Sequence, residues 1–192
     1  MTITFSKISE IFSNFIKNPK VDSINDDEIQ KLVYLLIKIN KTLWDLEDSA
    51  RLSELGDGHV ANVKKNIDIY NQQRNDLIRK IDTVLHRLLN VSRGVKESFY
   101  SESPGMIIDR LSIIFIKLSV VQKIIAVIEE DDLRLEYLEK KKVLAGQIES
   151  VGNFLDLYTK RLLKKEVFFE IQQSVKIYND ARVRKYIKHF DN

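Results

Sequence analysis

Cysteine is absent from this 192-residue sequence. Its absence excludes disulfides, zinc–thiolate centres and thiol nucleophiles. Proline and glycine are scarce, at two and six residues, so little in the chain interrupts helices. Long uninterrupted apolar runs are also missing. The most apolar stretch, residues 106–128, contains Asp109, Arg110, Lys117 and Lys123, and reads as a buried core helix rather than a membrane span. Charge of one sign does not dominate either. A net charge of +3 is too small to argue for wholesale nucleic-acid binding, and no specific nucleic-acid contact is expected. Residues 1–16 are amphipathic, contain Glu10 and lack a small-residue cleavage site after an apolar block. No signal peptide is therefore expected, and the expected location is cytoplasmic.

What is present is apolar and charged in balance, 44% and 31%, as in a soluble, mostly helical protein. Helical periodicity runs throughout, and no two-residue alternation persists. The pattern predicts one helical domain over residues 1–192. Its first part, residues 1–26, is a short helix (Phe5 to Ile16, ended by Asn18-Pro19) and a linker. A first α-hairpin, 27–97, holds helices from Asp27 to Leu52 and His59 to Val91, joined at Gly56-Asp57-Gly58. A second, 103–165, has Ser103 as cap and Pro104 at the first helical position, a helix to Glu130, and another from Leu133 to Lys165. The final part, 166–192, is read as a helix with a basic end. Ile37-Lys38-Ile39 echoes Ile116-Lys117-Leu118, and Ile81-Asp82 with Arg87-Leu88-Leu89 echoes Leu155-Asp156 with Arg161-Leu162-Leu163. The expected fold is therefore all-α: an antiparallel four-helix bundle of two long α-hairpins, an internal duplication, with additional N- and C-terminal helices.

Two polar runs fall on lines that should face the core. One is Asn40-xxx-Trp44-xx-Glu47-Asp48-xx-Arg51; the other is Asn71-Gln72-Gln73-Arg74-Asn75-Asp76. A buried amide or charge must find a partner or cost several kcal/mol, on the order of 2–7. The runs thus form either a structural lock or a ligand site. Asn40, Trp44, Glu47 and Arg51 share one stripe, with Glu47–Arg51 as an i,i+4 pair. Arg74 is the single charged member of the core line of its helix, level with Asn40 across the hairpin. Its partner is expected from the next helix, with Asp109 the candidate; an unpaired Arg74 would instead suit a phosphate or a sugar carboxylate. Asp109-Arg110-Leu111-Ser112 lies in the first turns of that helix, where the choices are helix-start electrostatics with an inter-helix salt bridge, or an anion site at one end of the bundle.

Other signatures are weak. His59, His86 and His189 show no metal-ligand spacing, and no metal or cofactor is expected. Glu136-xx-Glu139 begins the magnesium pattern of all-α nucleotide pyrophosphatases, but no matching Glu-xx-Asp follows. No phosphate-binding glycine loop or serine elbow occurs. The basic end, Arg182, Arg184, Lys185 and Lys188 with Tyr186 and Phe190 interleaved, reads as a solvated helix, or as a contact for a membrane surface or acidic partner.

The strings Leu43 to Arg51, Ile67-Asp68 with Asn71 to Asp76, Ser101 to Ile113, and Lys176-Ile177-Tyr178-Asn179-Asp180 occur in that order. Together they resemble an uncharacterised bacterial family, a domain of unknown function, over about residues 30–181. Members of that family often lie near glycosyltransferase genes for lipopolysaccharide or capsule. The family often has a histidine after the tryptophan, where this chain has Asp45, and another where it has Val120. The resemblance therefore supports a shared fold and weakens a histidine-based mechanism here.

Two functions are carried forward. The first is an accessory or interaction protein of bacterial surface-polysaccharide biosynthesis, with glycan-biosynthesis proteins or a second copy as partner. The second is an enzyme or binder acting on a nucleotide-sugar or other anionic glycan precursor. Here Asn71, Arg74 and Arg110, with Asn40, Trp44, Arg51, Asn75 and Asp109 around them, would bind, and Glu47 or Asp48 would act as base.

Overall fold

A computed structural model of the protein describes residues 3–19, 27–92, 98–173, 182, 183 and 186. Among the described residues the fold is all-α apart from one short pair of strands. In order, the elements are α1 (Phe5–Lys17), α2 (Glu28–Ala50), a 3₁₀ turn (Ser53–Leu55), α3 (Asp57–Leu88), β1 (Ser98–Phe99), α4 (Pro104–Ile125), α5 (Asp131–Leu163) and β2 (Val167–Phe168).

Local chemistry sets the helix ends. The Thr4, Asp27 and Ser103 side chains each accept backbone N–H groups in the first turn of α1, α2 and α4. Each cap satisfies donors that the helix itself leaves without partners. Gly56 precedes α3 with φ +84°, a conformation open to glycine. Helix α3 thus starts at Asp57, so Asp57 and Gly58 lie in its first turn rather than in the loop. Helix α4 stops at Ile125, five residues before the expected Glu130, with a turn leading to α5.

Helix α2 packs along α3, and α4 along α5. Helix α4 also touches α1, α2 and α3, whereas α5 packs on α4, α1 and β2 rather than broadly on α2 or α3. Burial follows that pattern. From Pro104 to Ser119, α4 is buried on most sides, while residues 131–143 of α5 are almost wholly exposed. The main core joins Ile8, Phe12 and Phe15 of α1 to Leu36, Ile81, Ile108, Leu111 and Leu155. A second, small cluster of Leu43, Val63 and Ile67 lies nearer the α2–α3 turn.

The expected helix from residue 166 is corrected in its first part. Lys165 takes φ +56°, which closes α5 in the manner of a left-handed helix cap. Val167-Phe168 then runs as a strand parallel to Ser98-Phe99. Three consecutive apolar side chains, Val167, Phe168 and Phe169, are all buried there. An amphipathic helix would have turned at least one of them to water, whereas an extended segment buried on both sides keeps all three inside. Residues 174–181, 184, 185 and 187–192, with most of the basic end, lie outside the described residues. Arg182 is described and exposed.

Candidate functional site

The polar runs meet between the two apolar clusters. On α2, Leu36 and Ile37 belong to the main core and Leu43 to the small one, with Asn40 between them. On α3, Ile67 and Leu77 belong to different clusters, with Asn71 and Arg74 between them. The core is therefore interrupted on both helices at the same level, and α4 supplies the polar groups that fill the gap.

Asn40 is buried, and its amide nitrogen donates to Asp109 Oδ1 at 2.8 Å and to Ser112 Oγ at 2.6 Å. The Ser112 hydroxyl donates in turn to the Asp109 carbonyl at 2.8 Å. Arg74 Nε lies 3.3 Å from Asp109 Oδ1, so the expected partner from the next helix is the one found. Burial raises the Asp109 pKa above the usual carboxylate range, against the opposing pull of the Asn40 hydrogen bond and the Arg74 charge. The pairing is nevertheless incomplete. Arg74 Nε is buried and makes no hydrogen bond, although an ion pair is within reach. The rest of the side chain is not sealed: 30% of it is exposed.

Arg74 opens onto two cavities. The first, of about 240 Å³, is lined by Asn40, Leu43, Trp44, Glu47, Asp48, Arg51, Asn71, Arg74, Ile113 and Ile116. Seven of the residues expected from the two polar runs thus converge on one cleft: Asn40, Trp44, Glu47, Asp48, Arg51, Asn71 and Arg74. Glu47 and Asp48 are exposed at its rim. The expected Glu47–Arg51 pair is replaced by Arg51–Asp48, Nη1 to Oδ1 3.4 Å. The reason is local: α2 ends at Ala50, so Arg51 is the cap residue and sits past the regular i,i+4 geometry.

The second cavity, of about 510 Å³, lies between α3 and the start of α4. Asn75, Asp109 and Arg110 line it, so the remaining expected site residues fall here rather than with Trp44. Arg110 pairs with Glu102, and Arg79 with Asp76. Asp82 is the residue that the polar-run reading missed. It is buried, accepts from the Ser103 hydroxyl at 2.6 Å and from the Gly105 N–H at 2.7 Å, and burial pushes its pKa up to about 6 despite both hydrogen bonds. The signal was available: Arg74, Ile78 and Asp82 are spaced four apart, one stripe of a helix. Beneath Asp82, Tyr158 donates to the Glu102 carbonyl at 3.0 Å. Its pKa is raised, first by burial and then by the negative charge of Asp82.

His59 and His86 lie elsewhere. His59 Nε2 is 3.1 Å from Ser49 Oγ, tying the start of α3 to the end of α2. His86 packs edge-on against Phe169, and His189 is outside the described residues. Asp45, at a position where the resemblance leads one to expect histidine, pairs at the surface with Lys41. Val120, the other such position, lines an apolar groove of about 490 Å³ on another side of Trp44, with Val121, Val143 and Leu144. Among the described residues no three His, Asp or Glu side chains gather in a metal-binding arrangement, and no helix is long and apolar enough to cross a membrane.

Residues 30–170 match the model of the family described as protein of unknown function (DUF4254). The chain belongs to that family. The match spans α2 to β2 and so contains every residue of both cavities except Gln172 and Gln173. Helix α1 lies outside the matched residues, although it fills part of the main core. No curated protein and no solved structure matches this DUF4254 member.

Proposed function

We propose that this DUF4254 protein binds an anionic glycan precursor, such as a nucleotide-sugar, in the cleft between α2, α3 and α4, and that it serves bacterial surface-polysaccharide biosynthesis in the cytoplasm. The observation that carries the reading is Arg74. A purely structural arginine at the centre of a core would be sealed against its partner. Here Nε lies 3.3 Å from Asp109 Oδ1, yet 30% of the side chain is exposed and it reaches two cavities. Arg74 holds the anion with Asn71 beside it, Trp44 offers a flat apolar face to a sugar ring, and Glu47 or Asp48 accepts hydrogen bonds from hydroxyls or acts as base. The closed Asn40–Asp109–Ser112 network supports this role by fixing Arg74 from behind.

The test is a thermal-shift titration with nucleotide-sugars, nucleotides and sugar phosphates. A ligand should raise the melting temperature of wild type and fail to do so for Arg74→Ala. Because Arg74→Ala strips Asp109 of its counter-ion and can destabilise the fold, Asn71→Ala is run beside it. Its side chain is half-buried, and the variant should fold normally and bind more weakly. No shift with any ligand, together with a severely destabilised Arg74→Ala, would reduce the cluster to a structural lock.

A second reading, the accessory or interaction protein, is favoured by a separate observation. The apolar groove beside Val120 adjoins the exposed part of α5, where Leu135 is 62% and Val143 57% exposed. Such a patch suits a glycan-biosynthesis protein or a second copy. Sedimentation that gives a monomer at all concentrations, with no change in Leu135→Glu, would count against the second copy.

We further propose the bundle of two duplicated hairpins as the origin of the architecture. In support, Asp82 of α3 accepts the Gly105 N–H at the start of α4, and Asp156 of α5 accepts the Phe5 N–H at the start of α1, at 2.8 Å. These are the aspartates of the echoed Ile81-Asp82 and Leu155-Asp156. Asp156→Ala should speed amide exchange at the start of α1 as Asp82→Ala does for α4; an effect on one helix only would speak against duplication.

A further inference from the structure

Arg74 and Ile113 line both the Trp44 cleft and the larger groove between α3 and α4, so the two cavities adjoin across one arginine. We infer that they form a single bipartite site for a sugar carried on a phosphate or diphosphate, with the ring against Trp44 and the phosphate among Arg74, Arg79 and Arg110. The inference rests on the anionic-glycan reading above and assigns each half of the ligand to one half of the site.

Charge decides the assignment. Three guanidinium groups and three carboxylates line the larger groove, yet they are not equally engaged. Asp82 has both oxygens taken by Ser103 and Gly105, and Asp109 is held by Asn40 and Arg74. Those acids are buried and committed to protein donors. Arg79 and Arg110, by contrast, pair with Asp76 and Glu102 through side chains that are all 30% or more exposed. Pairs of that kind contribute little, because solvent screens them. A phosphate, with its charge-assisted and bidentate hydrogen bonds, can take such arginines over. The groove thus presents accessible guanidinium beside two committed acids and one exchangeable one, Glu102, and exposed Asn75, Gln172 and Gln173 add further polar groups.

The smaller cleft has the opposite character. Leu43, Ile113 and Ile116 give it an apolar floor beside Trp44, with Asn71, Glu47 and the exposed Asp48–Arg51 pair around it. An apolar ring face ringed by amides, two carboxylates and one guanidinium at the rim suits the C–H face and the hydroxyls of a sugar. A free phosphate would find no use for the floor, and a free sugar none for the arginines.

Trp44 is the sole tryptophan of the chain, so its fluorescence reports on its own lobe. The full chain is titrated by calorimetry and by fluorescence with inorganic pyrophosphate, glucose 1-phosphate and UDP-glucose. The same titrations are made with the double variant Arg79→Ala/Arg110→Ala, whose side chains, one half-buried and one exposed, lie outside both apolar clusters. Pyrophosphate should bind wild type without changing Trp44 emission. The sugar-bearing probes should bind more tightly and change it, and the double variant should weaken all of them about tenfold, the loss of a charge-assisted contact. Binding of glucose 1-phosphate as well as UDP-glucose would mean that the sugar–phosphate link alone is recognised; binding of UDP-glucose alone would mean that the diphosphate carrier is read too. Both support the bipartite site. If a sugar phosphate changes Trp44 emission and binds the double variant with unchanged affinity, the bipartite site is wrong and the anionic-glycan reading survives. If no phosphate-bearing probe binds wild type at millimolar concentration, both fall.

Discussion

Asp82 shows how a single buried carboxylate couples this protein to pH. Its pKa moves from 3.8 to about 6 on folding, chiefly through burial. The native state then holds the proton more tightly than the unfolded chain does. The stability linked to that proton is fully present below pH about 4 and is lost as pH rises through about 6, on the order of 3 kcal/mol in all. Asp82→Asn removes the titration. Its unfolding free energy, measured by denaturant across that window, should fall less steeply with rising pH than that of wild type, and equal slopes would show that Asp82 does not titrate there. The residue scale was also the most legible in sequence. Asn40 and Arg74 stand out as polar members of apolar lines, and Asp109 follows as the charge nearest a helix start. Asp82 shares the stripe of Arg74 and Ile78, but its neighbour Ile81 occupies the core line, so the apolar pattern points to Ile81 rather than to Asp82 as the buried residue.

At the scale of elements, the start of α4 is built around a close approach. A Cβ on Gly105 would lie 2.6 Å from Asp82 Oδ1 and 2.8 Å from the Ile78 carbonyl. Both neighbours are constrained, one by two hydrogen bonds and the other by the backbone of α3. Gly105→Ala should therefore push α4 away from α3 and cost about 1–3 kcal/mol, as overpacking of a tight core does. Thermal unfolding of the variant measures this; an unchanged melting temperature would mean that α4 shifts freely. The helix caps at Thr4, Asp27 and Ser103 could be read locally, since a cap needs only its own residue and the next turn. The strand pair could not. Ser98-Phe99 and Val167-Phe168 are far apart in the chain, and neither is long enough to show a period. Their pairing depends on α4 and α5 bringing the segments together.

For the whole molecule, α1 matters more than the family match alone suggests. It lies outside residues 30–170, yet Ile8 and Phe12 are fully buried, and Phe12 meets Phe115 of α4 edge-on at 5.4 Å. Phe12→Ala should cost about 3–5 kcal/mol, seen as a large drop in denaturation midpoint. A loss below about 1 kcal/mol would show that α1 is an accessory to a self-sufficient remainder. The distribution of burial also divides the α4–α5 hairpin. The inner half of the α4–α5 hairpin belongs to the core and the site, while the outer part of α5 is exposed around most of its circumference.

The sequence by itself determined the helices, their caps and the positions where polarity breaks an apolar line. These depend on periods of a few residues and on chemistry within one turn. Tertiary structure decided the rest. Only packing placed α4 at the centre, so that Asp109 met Asn40 and Arg74 together. Only packing left Arg74 half-satisfied between two cavities, because burial and hydrogen-bond geometry are properties of neighbours that the chain brings close from far along its length.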